Sequence, residues 1–190
     1  MANSKIIIVN GAQGSGKTTV TDYLRYKMSY TNLYRLCGTS DSSPAGKIKA
    51  TKMYENLLDY IEKMENMSIN LLFDQIYFTE EVYDRLGFKE YTFTDVYERL
   101  TERLAKFDFD IYVITLYLSD TTQFEKRLAR EGKHNMKYAK YNAESSINQQ
   151  NTYLDIAEEL KKYPNINVIN IDNCQTEEQV KQQLNEILGI

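Results

Sequence analysis

Gly11-Ala12-Gln13-Gly14-Ser15-Gly16-Lys17-Thr18-Thr19 follows directly on the apolar run Ile6-Ile7-Ile8-Val9. The spacing is G-x-x-x-x-G-K-S/T, which acquires meaning when a strand precedes it and a helix follows. Lys5 to Asn10 reads as a short β-branched strand. Thr18 to Met28 carries Val20, Leu24 and Met28 at helical spacing with no Gly or Pro. Three glycines let the backbone wrap an anion with successive N–H groups pointing inward, and the helix adds the positive end of its dipole. In such a cradle Lys17 reaches the β- and γ-phosphates and the Thr18 hydroxyl sits on Mg²⁺. The loop as a whole, Gly11, Gln13, Gly14, Ser15, Gly16, Lys17, Thr18 and Thr19, is therefore the expected site for Mg·ATP.

Working outward, 190 residues suit one domain with at most a small lid, and a chain of that length buries a sizeable core. A net charge of −4 argues mildly against a general nucleic-acid binder without excluding a local basic site. Membrane helices need about 20 apolar residues in succession, and no such run occurs. With no signal-peptide pattern either, the expectation is a cytoplasmic protein. Cys37, Cys174 and the lone His134 are too few for a disulfide framework or a structural zinc site, so Mg²⁺ brought by the nucleotide is the expected metal.

Leu33 to Cys37 reads as a second strand closed by Gly38 and a polar turn through Pro44. A long amphipathic helix is expected over Ala45 to Met67, and Ile69 to Phe73 is a third apolar run ending on Asp74. Helices are expected over Thr79 to Leu86, stopped by Gly87, and over Thr94 to Phe107. Ile111 to Leu118 is nearly all apolar, as a strand covered on both faces would be. Asp120 is placed as the cap of a helix running to Arg130. Residues 131–142, with Lys133, His134, Lys137 and Lys140, have no apolar stripe and read as a short lid. Beyond it come a helix over Ala143 to Lys162, a strand over Ile166 to Ile171 and a last helix with Thr176 and Gln179 as capping box. Five apolar runs alternating with helices describe an α/β chain with a mostly parallel sheet covered on both faces.

Ligands of such sheets bind where the strand C-termini emerge. Three polar groups are expected there: the glycine-rich loop, the segment from Arg35 to Thr39, and Asp74. Asp74 could manage Mg²⁺ through water or take a proton from a substrate hydroxyl; its alternative role is that of a turn or cap residue. Arg127 and Arg130 share a helix face leading into the lid, where positive charge would meet the oxygens of a transferring phosphoryl group. Their alternative is a solvated basic helix end.

The segment Asp74-Gln75-Ile76-Tyr77-Phe78-Thr79-Glu80-Glu81-Val82-Tyr83 resembles the D-R-x-x-x-S-x-x-A-Y pattern of the thymidylate kinase group of P-loop nucleoside and nucleoside-monophosphate kinases. Tyr34-Arg35-Leu36-Cys37-Gly38-Thr39 loosely resembles that group's R-E-P-G-G-T, and Arg127-Leu128-Ala129-Arg130 is similar to its R-x-x-R before the lid. The resemblance implies a three-layer fold with a five-stranded parallel sheet in the order 2-3-1-4-5, often dimeric. It places the acceptor between the second and third strand ends, against Arg35, Tyr77, Phe78 and Tyr83. Two departures bear on the acceptor. Gln75 stands where the group has an arginine, which disfavours a monophosphate, and the acid after Arg35 is missing, which disfavours a nucleoside hydroxyl.

The reading that results is a Mg·ATP-dependent kinase of a deoxynucleoside monophosphate, a pyrimidine such as dTMP or a modified relative. Lys17, Arg127 and Arg130 would stabilise the transferring group, Thr18 and Asp74 would manage the metal, and Arg35 would hold the acceptor. Its rivals are a kinase of a deoxynucleoside or of a hydroxymethylated base in DNA, and a regulatory or non-catalytic nucleotide-binding protein.

Overall fold

The computed structural model describes residues 4–36, 40–130 and 142–190. Chain order is β1 (Lys5–Gly11), α1 (Lys17–Lys27), β2 (Thr31–Arg35), α2 (Pro44–Lys63), β3 (Asn70–Asp74), α3 (Phe78–Arg85), α4 (Thr94–Leu104), β4 (Asp110–Tyr117), α5 (Gln123–Arg130), α6 (Ala143–Leu160), β5 (Ile166–Asp172) and α7 (Glu177–Leu188). The strands form one parallel sheet ordered β2-β3-β1-β4-β5, as expected.

β1 lies at the centre of the sheet, between β3 and β4, and its side chains from Ile6 to Val9 are all apolar and buried. Alternate residues leave a strand on opposite faces. Ile6 and Ile8 therefore join Tyr54, Leu58, Phe73 and Tyr153 on one side. Ile7 and Val9 join Val20, Leu24, Leu72 and Leu184 on the other. Each such side chain, fully buried, contributes about 1.5–3 kcal/mol, so the two-sided core holds β1 in place. Register then sets the site: Val9 lies opposite Asp74, and Gly11 opposite Leu116.

The structure corrects several boundaries. β2 runs over Thr31–Arg35 instead of Leu33 to Cys37, because its ladder partner is Asn70–Asp74 and pairing begins at Thr31 opposite Asn70. α2 stops at Lys63, short of Met67; Asn66 and Ser68 adopt left-handed backbone (φ 62° and 57°), which a continuing helix excludes. α5 starts at Gln123, so Asp120 does not cap it. Asp120 Oδ1 instead accepts from the Thr122 amide (3.1 Å) and hydroxyl (2.6 Å) in a local turn. The capping box of Thr176 and Gln179 is present at α7. Among the described residues, no helix is long and apolar enough to cross a membrane. The lid expected over 131–142 lies outside the described residues except for Asn142, whose side chain accepts from the Ser145 amide (2.7 Å) at the start of α6.

Candidate active site

Between β1 and α1 the chain turns through Gly14 and Gly16, both with left-handed φ (83° and 97°). Gly11 meets a different demand: a Cβ there would lie 2.9 Å from the Leu116 carbonyl oxygen and 2.4 Å from Ser15 Oγ. The first turn of α1 has no side-chain cap and no acidic residue. Its leading N–H groups are left to a ligand, and a helix start of this kind favours an anion. Among the described residues the buried Ser15 hydroxyl finds no hydrogen-bond partner, a second polar group of the loop without a use inside the protein. Lys17 folds over the loop and donates to the Gly11 (2.8 Å) and Ala12 (3.0 Å) carbonyls, so its ammonium is held where a polyphosphate would enter.

Three elements distant in sequence brace this loop. From α6, Ser146 Oγ donates to the Gln13 carbonyl (2.9 Å) and Gln149 Oε1 accepts from the Gln13 amide (3.3 Å). From the turn after β5, Asn173 Nδ2 donates to the Ser15 carbonyl (2.7 Å). From α5, Arg127 donates to the Gly14 (3.4 Å) and Ser15 (3.5 Å) carbonyls and to the Asn173 carbonyl (2.7 Å). These contacts tie Arg127 to the glycine-rich loop and to the turn after β5. Arg127 and the exposed Arg130 line one cleft of about 830 Å³ with Gly16, Thr19, Tyr23 and Asn173.

On the opposite flank Arg35 and Asp74, ladder partners at the ends of β2 and β3, meet in an ion pair (Nε to Oδ2, 3.5 Å). Arg35, half exposed, also pairs with Asp22 of α1. Thr21 Oγ1, one turn into α1, links the two flanks: it donates to the Thr18 carbonyl (3.1 Å) and lies 3.5 Å from Asp74 Oδ2. The glycine-rich loop, Arg35 and Asp74 therefore converge on one sheet edge. For magnesium the residues that fit are Thr18 and Asp74, since this ion keeps water and phosphate oxygens and asks few ligands of the protein. The unpartnered Ser15 hydroxyl and the uncapped helix start mark where those phosphates would lie.

The aromatic residues divide. Tyr77 and Phe78, expected against the substrate, are completely buried: they pack on Tyr54 and Tyr97, and the Tyr77 hydroxyl pairs with Thr101 (3.0 Å). Their place is the floor beneath the site, because the turn after Asp74 carries them into the core. Tyr83 is only partly buried, edge-on to Phe88. Thr79 shares a hydrogen bond with Tyr153 (2.9 Å), whose phenol burial pushes up, with the neighbouring Tyr83, Asp74 and Glu80 adding to the shift. Gln75 takes left-handed backbone (φ 72°), its amide donating to the Val9 carbonyl (3.2 Å). Cys37, Gly38, Thr39, Lys133, His134, Lys137 and Lys140 lie outside the described residues.

Sequence reasoning missed Asn173, Ser146 and Gln149. A lone Asn after the last strand belongs to no motif. The α6 residues did leave a trace, as buried polar side chains interrupting a helix stripe that otherwise reads as apolar.

No protein-family model matches the chain, and no curated protein matches it in sequence. Solved structures do. Thymidylate kinase from Candida albicans superposes with a TM-score of 0.67 at 17% identity, covering 100% of this chain and 92% of that one. Deoxyadenosine kinase from M. mycoides with bound dATP gives 0.58 at 16% identity, covering 96% and 98%. The Pnkp1/Rnl/Hen1 RNA repair complex gives 0.56 at 16%, over 84% of this chain and 47% of that one. The fold is that of the P-loop nucleotide kinases, a three-layer α/β architecture.

Proposed function

We propose that this chain is a Mg·ATP-dependent kinase that transfers the γ-phosphoryl group to a deoxynucleoside monophosphate, a pyrimidine such as dTMP or a modified relative. The observation that carries the reading is the juxtaposition of an uncapped, glycine-framed helix start with the Arg35–Asp74 pair on one sheet edge. Two ligands presented to each other are what phosphoryl transfer requires, since its catalysis is mostly positioning and charge stabilisation. The fold shared with thymidylate and deoxyadenosine kinases supports an acceptor that is a nucleotide or a nucleoside.

In this reading the α1 amides and Lys17 hold the β- and γ-phosphates, and Arg127 braces the loop that presents them. Arg127 and Arg130, which line one cleft beside that loop, stabilise the transferring group. Arg35, once it exchanges Asp74 for the acceptor, holds the acceptor phosphate. Thr18 and Asp74 would hold magnesium, which would supply positive charge to the phosphoryl oxygens. Partly buried Tyr83 packs on the acceptor sugar. The whole chain then acts as one kinase domain.

Incubation with γ-labelled ATP and a panel of deoxynucleosides, deoxynucleoside monophosphates and DNA tests the proposal. Label transfer to monophosphates is the expected result; transfer confined to hydroxyl acceptors overturns it. The hydroxyl alternative draws on one specific observation: Asp74 is a mostly buried carboxylate at the acceptor side, as a general base would be. If γ-phosphate is lost from ATP at the same rate with and without any acceptor, the chain is a regulatory nucleotide-binding protein.

A further inference from the structure

The peptide joining Ser15 to Gly16 is held by a side chain from the far end of the chain. Asn173, on the turn after β5, donates from Nδ2 to the Ser15 carbonyl (2.7 Å). A carbonyl oxygen only accepts, so it is the donor end of the amide that must face it. The fit is close: a Cβ on Gly16 would collide with the same Nδ2. Arg127 reaches this carbonyl only at 3.5 Å.

Asn173 is itself a fixed point. Its amide donates to the Tyr117 carbonyl (2.8 Å) and its carbonyl receives Arg127 (2.7 Å). The Asp172 carboxylate beside it accepts from the Ser119 (3.1 Å) and Cys174 (3.0 Å) amides. The turn is thus anchored to the end of β4, and the Asn173 side chain extends from it to the loop.

A peptide unit is planar and trans, so its C=O and N–H point in opposite directions. Holding the Ser15 carbonyl toward Asn173 therefore holds the Gly16 N–H away from it, and among the described residues that N–H meets no acceptor. The peptide could turn over at low cost, because Gly16 has no Cβ to resist it and already sits at φ 97°. Turned over, it would present an oxygen to an incoming phosphate in place of a donor. The peptide between Gln13 and Gly14 is held in the same manner, by Ser146 on the Gln13 carbonyl (2.9 Å).

We propose that Asn173 is a positioning residue for the donor phosphates: by holding the Ser15 carbonyl it keeps the Gly16 N–H directed into the cradle between β1 and α1, where a phosphate oxygen takes it. The inference rests on the reading of that loop as a phosphate site and extends it to a residue about 160 positions away that belongs to no loop motif. The competing account is that Asn173, which lines the cleft beside the loop, touches the nucleoside part of the donor directly.

The two accounts differ in which half of a nucleotide is affected. Inorganic tripolyphosphate with Mg²⁺, and adenosine, are titrated separately against the intact chain and against Asn173→Leu, which keeps a side chain of similar shape and removes the donor. Tripolyphosphate affinity is expected to fall at least about tenfold, the usual scale of a hydrogen bond to a charged group, with adenosine affinity unchanged within about twofold. In the transfer assay KM for ATP rises by a similar factor while KM for the acceptor holds. Unchanged tripolyphosphate affinity, a loss confined to adenosine, or an equal loss of both overturns the proposal. If Asn173→Leu does not fold, Asn173→Asp takes its place: of the same size, it presents only oxygens to the Ser15 carbonyl. Weakened tripolyphosphate binding with adenosine retained then sustains the proposal, and tripolyphosphate binding equal to that of the intact chain overturns it. If the intact chain binds tripolyphosphate but transfers no phosphoryl group, the role of Asn173 stands while the kinase reading falls. If it does not bind tripolyphosphate at all, both fall.

Discussion

Lys17 is held by two carbonyl oxygens of its own loop, so its charge is pre-positioned and little reorganisation precedes nucleotide binding. Replacing it with Ala should lower the transfer rate by about two to three orders of magnitude, the usual cost of losing one preorganised charge-stabilising donor. The melting temperature should barely change, which calorimetry on the same samples would show. Gln75 presents the opposite case, a residue held against its own preference. Left-handed backbone at a non-glycine costs on the order of 1–3 kcal/mol, and β-branched side chains tolerate it worst. Gln75→Val should therefore destabilise the fold by about 1–2 kcal/mol in urea titration. Gln75→Arg meets the same backbone demand as Gln and should leave the midpoint unchanged; a rise in monophosphate kinase activity in that variant would show that the lost arginine had been limiting.

Among the elements, α6 does the most to connect separate parts of the site: Ser146 and Gln149 grip Gln13, Gln150 holds both backbone groups of Leu118, and Tyr153 reaches α3 through Thr79. Removing the two contacts to Gln13 by Ser146→Ala and Gln149→Leu should cost about 1 kcal/mol each in stability. The same pair of changes should raise KM for ATP more than KM for the acceptor. α3 carries a different tension in Glu81, whose carboxyl burial pushes above its ordinary pKa despite the Arg85 and Thr94 hydrogen bonds. For an acid raised in the folded state, the neutral form's stability is present below the unfolded value near 4.5 and is lost as pH rises through the folded value. Glu81→Gln should accordingly raise the melting temperature at pH 7, with the gain shrinking to nothing below pH 4.5. A Tm difference independent of pH would contradict that assignment.

At the scale of the whole molecule, the candidate nucleotide site draws on β1, α1, α5, α6 and the turn after β5, so a nucleotide bound there would cross-link much of the fold. ATP with Mg²⁺ at one hundred times its Kd should add about 2.7 kcal/mol and raise the melting temperature by about 5–10 °C, which differential scanning fluorimetry can check. That site's motif was legible from the outset because a glycine-rich turn, a lysine and a hydroxyl act within nine consecutive residues, and local backbone geometry alone decides whether they can cradle an anion. The apolar run before them likewise foretold a strand, alternating elements implied a mostly parallel sheet, and the resemblance to the thymidylate kinase group implied its order. Tyr77 and Phe78 were misplaced because motif spacing does not say which side of a turn meets solvent. The contacts of Arg127 with the loop carbonyls were not legible because a helix face is visible in the chain while the surface it packs against is not. Asn173 gave no sign, and Ser146 and Gln149 only a faint one: each acquires its role from a partner far along the chain, and such pairings are chosen by core packing, which brings separated segments into contact only once the sheet has closed.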